Sequence, residues 1–298
     1  MFVKPMIELA QIDELTGGKL GTFDAPCPLC SAGRSTAINR RKKVLRVWRV
    51  EENFATFHCV HCGERGHVHD RDQATRDPFK LAKARAEAAE RDRVHKAERL
   101  SKARWLWSAR KPIKRTIAET YLRSERGYGG LLPATLGFLP KRHGYPPALI
   151  AAFGLAHEPA PGELEIGDNA VRGVHLTRLR PDGRKADGDK IKIMIGSSGG
   201  SPIVIAPVND LGGLAVAEGI EDALSVRDVC GLGVWASGAA SRLPALADAV
   251  PDYVESVSIL VDTDEAGARN SNELARRLRN VGVEVRLIAM GGAKRSAA

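Results

Sequence analysis

Hydrophobic and polar positions alternate in a regular order along the last hundred residues. Short apolar runs, "LAVAEG", "GVWASG", "SVSILVDTD" and "EVRLIAM", are separated by longer segments, "IEDALSVRDVC", "LPALADAV" and "GARNSNELARRLRNV". In the longer segments apolar residues recur at helical spacing. Apolar strands alternating with amphipathic helices predict a parallel sheet with helices on both faces. The N-terminal part follows another rhythm. "KVLRVWRV" and "NFATFHC" are rich in β-branched and aromatic residues and are separated by the polar "EEN", a pattern that predicts a hairpin. Before it, Ile7, Leu9, Ala10, Ile12 and Leu15 form a short helical pattern ending at Gly17 and Gly18. From Asp77 to Arg110 there is one proline, placed where a first helical turn tolerates it, and then no breaker. This Ala-rich stretch interleaves Glu with Lys and Arg and has no wide apolar face, so it predicts a long helix or helix pair acting as a strut. Further on, "IAETYLRSERG" predicts a helix, and "GYPPALIAAFGLAHEPAPGELEIGDNA" is broken by prolines. "RGVHLTRLRPDGRKADGDKIKIMIG" reads as strand, Asp-Gly turn, strand.

These patterns divide the chain into residues 1–72, a small β module; 73–112, a helical linker; 113–206, a mixed intermediate region; and 207–298, an α/β domain. With 298 residues, 43% of them hydrophobic, the chain can fill at least one sizeable core. The net charge of +9 is unevenly spread: residues 1–70 carry +2, residues 71–126 carry +9, and the remainder carries −2. A basic segment beside a slightly acidic domain suits a protein that grips a phosphate backbone with one part and divalent cations with the other. A solvated charged helix accounts for the basic segment equally well. The longest apolar runs fall far short of the roughly 20 residues needed to span a bilayer, and the N-terminus lacks a signal-peptide core. The expected setting is the cytoplasm, with no membrane partner.

Four of the five cysteines fall in two pairs, Cys27-x-x-Cys30 and Cys59-x-x-Cys62, separated by 28 residues. Four thiolates close a tetrahedral Zn²⁺ site, and the hairpin between them is the small scaffold such a site staples. With no open position the zinc is expected to be structural. His58, His61, His67 and His69 flank the second pair but are not needed as ligands. Cys230 is expected to be a core thiol. The hairpin places Arg40, Arg41, Lys42, Lys43, Arg46 and Arg49 beside Trp48, Phe54 and Phe57. Interleaved cations and aromatics are how single-stranded nucleic acid is held, although Phe54 and Phe57 serve as readily as the module's own core.

Carboxylates stand at the ends of two of the apolar runs. Glu218 closes "LAVAE", and Asp262 and Asp264 close "SILVDTD". In open α/β sheets functional groups gather outside the carboxyl ends of the strands, and residues two apart on an extended segment point the same way. Clustered carboxylates repel one another unless cations bind them, and oxygen-only ligands suit Mg²⁺ or Mn²⁺. The bland reading makes Glu218 a helix-terminal charge and the "DTD" segment a helix cap.

"AEGIEDALS" followed some forty residues later by "LVDTDEAG" resembles the Toprim domain shared by bacterial-type primases, topoisomerases, recombination mediators and certain nucleases. The resemblance implies an α/β Toprim fold, a parallel sheet with helices on both faces, preceded by a β zinc ribbon and a helical linker. It also implies that Glu218, Asp262 and Asp264 are metal-binding catalytic acids and that Asp222 is a further acid on the same helix face as the first motif. "FHCVHCGERG" resembles the zinc-ribbon tail of primases, in which that module reads the template, and residues 101–206 resemble the intermediate region of phage and plasmid primase-like proteins. By that likeness Arg178, Lys190 and Lys192 contact template or nucleotide phosphates. The family's later acidic motif has no counterpart in "EVRLIAMGGAKRSAA", so further metal ligands come from substrate, water or a longer protein. No Walker A sequence occurs, which places any helicase in another chain or a missing C-terminal portion. The implied function is primer synthesis from NTPs on single-stranded DNA, supported by a replicative helicase in trans. A Toprim nuclease and a non-catalytic zinc and Toprim DNA-binding accessory protein are the alternatives.

Overall fold

A computed structural model of the chain describes residues 7–69, 78–142, 144–188 and 190–289. The boundary expected near residue 72 lies outside the described residues. The chain forms two compact units, Met1–Arg93 and Val94–Ala298.

In the first unit α1 (Leu9–Thr16) ends where Gly17 takes a left-handed conformation, φ 61°, which L side chains rarely adopt. It is followed by β1 (Gly21–Ala25), the short α2 (Ala37–Arg40), β2 (Leu45–Glu51), β3 (Phe54–Cys59) and β4 (Arg65–His69). The strands pair antiparallel in the order β1-β2-β3-β4, and β2 and β3 form the hairpin expected around "EEN". Its core is small: Ile7, Ile12, Leu45, Val47, Phe57 and Val68 pack with Cys27 and Cys59. A core of this size needs a staple, and Cys27 and Cys59 sit inside it, with Cys30 packed against it and Cys62 exposed.

Helix α3 (Pro78–Ser108) is one continuous 31-residue element. Its residues 85–99 are largely exposed, whereas Ala103 and Trp107, one turn apart, are fully buried in the second unit. Next come α4 (Ile117–Thr120), which runs on as a π-helical turn over Tyr121–Glu125, and four strands: β5 (Leu136–Leu139), β6 (Ala148–Phe153), β7 (Gly173–Arg178) and β8 (Lys192–Gly196). These form an antiparallel sheet in the order β5-β6-β7-β8. The proline-broken stretch thus contains a strand, β6, whose every residue is buried. Ala148, Ile150 and Ala152 face Ala103 and Trp107, whereas Leu149, Ala151 and Phe153 face the C-terminal domain.

The remaining elements are β9 (Ile203–Ala206), β10 (Gly213–Ala217), α5 (Ile220–Cys230), β11 (Gly233–Ala236), a 3-10 helix (Ala240–Ala249), β12 (Ser256–Val261), α6 (Glu265–Asn280) and β13 (Glu284–Ala289). They build a sheet in the order β13-β12-β10-β11-β9. β10 to β13 are parallel, and β9 joins antiparallel at one edge. Alternation along β10 decides its packing. Leu214 and Val216 face α6 and the 3-10 helix, while Ala215 and Ala217 face α5 and β6. The segment "LPALADAV" takes the tighter 3-10 form with Pro244 inside, a residue that has no N–H to give to an α-helical ladder. Residues 113–206 and 207–298, distinct in sequence character, therefore share a hydrophobic core, against which half-buried Cys230 also packs.

Candidate functional site

The four cysteines converge without a disulfide. Cys27 Sγ lies 4.0 Å from Cys62 Sγ, Cys30 Sγ lies 3.8 Å from Cys59 Sγ, and all four ligand atoms are within 4.8 Å of one another. A zinc tetrahedron with Zn–S bonds of ~2.3 Å has S···S edges of about 3.8 Å, so the residues fit this ion. Burial and the neighbouring thiols push Cys30 well above the ordinary thiol range. At Cys59 burial is outweighed by the backbone N–H groups of Cys62 and His61, and its pKa is lowered. A set of thiols held this close becomes fully ionised only with a cation to neutralise it.

The surrounding cations divide in a way their spacing did not reveal. Arg49 is buried and bound to Asp13, Thr16 and the Glu52 carbonyl, so it is structural. Arg46 is held by Asp24 through two bonds of 2.8 and 2.9 Å. Arg41, Lys42 and Lys43 are exposed. Phe54 and Phe57 are buried, the core role allowed for them.

In the second unit the carboxylates stand at the carboxyl edge of the parallel sheet. Glu218 follows β10, and Asp262 and Asp264 follow β12, its neighbour in the sheet. Glu218 is half-buried; burial first, then the charge of Asp262, raise its pKa, while the Ala240 N–H pulls the other way. Burial and the charges of Asp262 and Glu221 raise Asp222 likewise. A carboxylate whose ionised form is disfavoured in this way gains from any nearby cation. Among the described residues, however, only the cysteines bring three or more ligand atoms within 4.8 Å, so the carboxylates are spread more widely. Asp264 also caps α6, accepting the Gly267 N–H at 2.6 Å, so the capping reading and the metal reading coexist at this residue. Close approach bears on both motif glycines, through a movable side chain at Gly219 and through a Cβ at Gly267. A Cβ at Gly219 would strike the Asp222 carboxylate, and one at Gly267 would come within 2.9 Å of the Asp262 Cβ.

Next to these acids lies a constellation the sequence reading missed. Glu221 is largely buried on the first turn of α5, and its carboxylate accepts the Tyr121 hydroxyl at 2.6 Å. It is ringed by Lys185 Nζ at 3.1 Å, Lys192 Nζ at 3.6 Å and Arg126 Nη2 at 3.7 Å. Although burial opposes ionisation, Lys192, Lys185 and Tyr121 hold this carboxyl far below the usual range. Glu221 and Asp222, adjacent in sequence, are thus driven in opposite directions by their surroundings. Arg126, Glu221 and Asp222 line a cleft of about 410 Å³. The π-helical turn that carries Tyr121 leaves no sequence signal, and π turns are common at functional sites. His175 lies nearby, 2% exposed and edge-on to Phe153, with no hydrogen-bond partner for Nδ1. Burial, followed by the charge of Lys192, lowers its pKa to about 4.

The three basic residues expected to meet phosphates are separated by strand alternation. Lys192 faces Glu221, on the same side of the antiparallel sheet as its partner Thr177. Arg178, one residue along from Thr177, lies on the opposite face among Leu176, Ile193 and Ile195. Lys190 is exposed in the connection before β8. The "GSSGG" loop is tied down by Arg242, which donates to the carbonyls of Ser198 and Ser201 and stacks over Phe153 at 4.2 Å.

Residues 213–296 match the model of the Toprim domain, and residues 97–205 match that of a domain of unknown function, DUF7146. The C-terminal segment is thus a Toprim domain with a mostly parallel sheet, preceded in the chain by an N-terminal module whose four-cysteine cluster is that of a zinc ribbon. Among solved structures it is similar to the Aquifex aeolicus primase comprising zinc-binding and RNA polymerase domains, at 16% identity and a TM-score of 0.40, covering 91% of this chain and 73% of that one. It is also similar to the primase fragment of the bacteriophage T7 primase-helicase protein, at 13% identity and a TM-score of 0.36, covering 89% of this chain and 88% of that one. No curated protein matches the chain. Among the described residues no helix is long and apolar enough to cross a membrane.

Proposed function

We propose that this chain is a primase-type nucleotidyltransferase that joins NTPs into short primers on single-stranded DNA. The observation that carries the reading is the placement of Glu218, Asp262 and Asp264 at the ends of adjacent strands, with Asp222 close enough to feel Asp262 and with cations around the neighbouring Glu221. Glu218, Asp262 and Asp264, with Asp222 beside them, would hold Mg²⁺ or Mn²⁺. When bound, such ions lower the pKa of an attacking 3′-hydroxyl and neutralise the pyrophosphate that leaves. The chain's own groups do the rest. Lys192 and Lys185 receive the nucleotide phosphates, exchanging part of their pairing with Glu221 for the ligand's oxygens. Tyr121 and Arg126 keep Glu221 in place, and with it the two lysines paired to its carboxylate. Glu218, whose proton affinity burial raises, is suited to accept the proton of the attacking hydroxyl. The zinc ribbon and the exposed basic turns of α3 hold the template through phosphate contacts.

The test incubates the zinc-loaded chain with single-stranded DNA, labelled NTPs and Mg²⁺ or Mn²⁺. Template-dependent short oligomers that vanish in Asp262→Ala are expected. Shortening of the DNA would assign the same acids to a nuclease, and binding without chemistry would make the chain an accessory protein.

A further inference from the structure

The face of the antiparallel sheet turned away from the carboxylates holds a groove that the function proposed above does not use. Helix α3 crosses this face and buries Ala103 and Trp107, but Trp105, half a turn away, stays 55% exposed. Leu176 of β7 and Ile193 of β8 form the apolar floor. Arg142 and Tyr145 close one side, and each donates its backbone N–H to the other's carbonyl, at 3.1 and 2.9 Å. The Arg142 guanidinium sits 5.0 Å from the Trp105 ring centroid, and Tyr145 is 64% exposed. The cavity measures about 460 Å³, within the range of roughly 300 to 1,000 Å³ typical of small-ligand sites. Lys102, Arg142 and Arg178 line it, and none of its described lining residues is acidic.

We infer that this groove binds single-stranded DNA, taking an unpaired base against Trp105 and Tyr145 and the flanking phosphates on Lys102, Arg142 and Arg178. Exposed aromatics over an apolar floor offer a π surface to any base, and three cations without a lining carboxylate complement a phosphate backbone. A purely apolar partner would cover the cations without neutralising them. The slot between helix and sheet suits a splayed base rather than a stacked duplex. Because Arg178 and Lys192 occupy opposite faces of the sheet, this surface is separate from the Toprim acids. The inference rests on the proposed function only in its choice of single-stranded DNA as ligand.

The experiment measures anisotropy of a fluorescein-labelled oligothymidylate with the full, zinc-loaded chain, without NTPs or Mg²⁺. Trp105→Ala is expected to weaken binding by roughly 5- to 150-fold, the range that one stacked base supplies, and Trp105→Phe to retain most of it. Arg178→Ser is expected to lower the slope of log affinity against log salt by about one. Photocrosslinking with 5-iododeoxyuridine should label Trp105 or Tyr145. Affinities within twofold of the parent for Trp105→Ala, Tyr145→Ala and Arg178→Ser, with crosslinks only elsewhere, would overturn the inference. Tighter binding of a polyglutamate peptide at this groove would overturn it in favour of an acidic protein partner. Primer synthesis is not read in this measurement, so the two proposals fail independently.

Discussion

Replacing Glu221 by glutamine tests the electrostatic account most directly, because the side chain keeps its size and loses only its charge. In the parent the carboxylate, 15% exposed, accepts the Tyr121 hydroxyl at 2.6 Å and faces Lys185, Lys192 and Arg126 within 3.1 to 3.7 Å. Removing one member of a fully buried ion pair costs about 3–5 kcal/mol, and a hydrogen bond to a charged group is worth about 1.5–3 kcal/mol. The three cations are 28–43% exposed, so water replaces part of what the carboxylate gave them. The expected destabilisation is about 2–3 kcal/mol for Glu221→Gln at neutral pH. A folded-state pKa below the ordinary value of 4.5 means that this contribution is complete above that pH and fades as pH falls further. Urea unfolding of the zinc-loaded parent and variant, followed by circular dichroism from pH 8 to pH 3.5, should show a constant gap that begins to narrow only at the acid end. Glu218→Gln is the internal control: it removes a carboxylate whose ionised form burial and Asp262 disfavour, so it should be neutral or stabilising. A gap below about 0.5 kcal/mol for Glu221→Gln, which is the ordinary scatter of surface substitutions, or a gap that widens in acid, would refute the reasoning.

Other consequences separate roles that overlap in one residue. Asp264→Ala should lose about 1 kcal/mol of thermal stability through the missing cap while Asp264→Asn loses almost none, and both should abolish Mn²⁺-dependent nucleotide incorporation; retained activity in the asparagine variant would remove this acid from the metal site. Purified chain should carry one zinc by elemental analysis, and Cys59→Ala or chelation should unfold the ribbon; folding unchanged without metal would defeat the zinc assignment. His175 is held neutral, so the stability it protects is complete above pH 6.5 and is lost as pH falls toward about 4. At ~1.4 kcal/mol per pH unit that amounts to about 3 kcal/mol. His175→Leu should flatten the stability profile across that window, and an unchanged slope would show that the imidazole is not the titrating group.

The fold followed closely from patterns local to the chain. Apolar runs alternating with amphipathic ones became β10 to β13 and their helices, and the "EEN" break became the β2–β3 turn. Cysteine spacing brought four sulfurs together because a hairpin of that length returns the chain to its start. Glu218, Asp262 and Asp264 were legible because strands of a parallel sheet end at the same edge, so acids at strand ends become neighbours wherever the strands themselves are adjacent. Strand β6 was hidden by surrounding prolines, since a strand buried on both faces lacks the alternation that marks one. The sequence by itself therefore determined most of the elements, the gathering of the four cysteines and the placement of the acids at strand ends. Only the tertiary structure decided which charges serve the site: that Arg49 is a buried strut, that Lys192 and Arg178 part company across a sheet, and that Glu221 gathers three cations while Asp222 beside it is crowded by acids. The physical reason is range. Secondary structure and ligand spacing are set by near neighbours, whereas the state of a charge depends on burial and on partners brought from Tyr121, Arg126, Lys185 and Lys192, far along the chain.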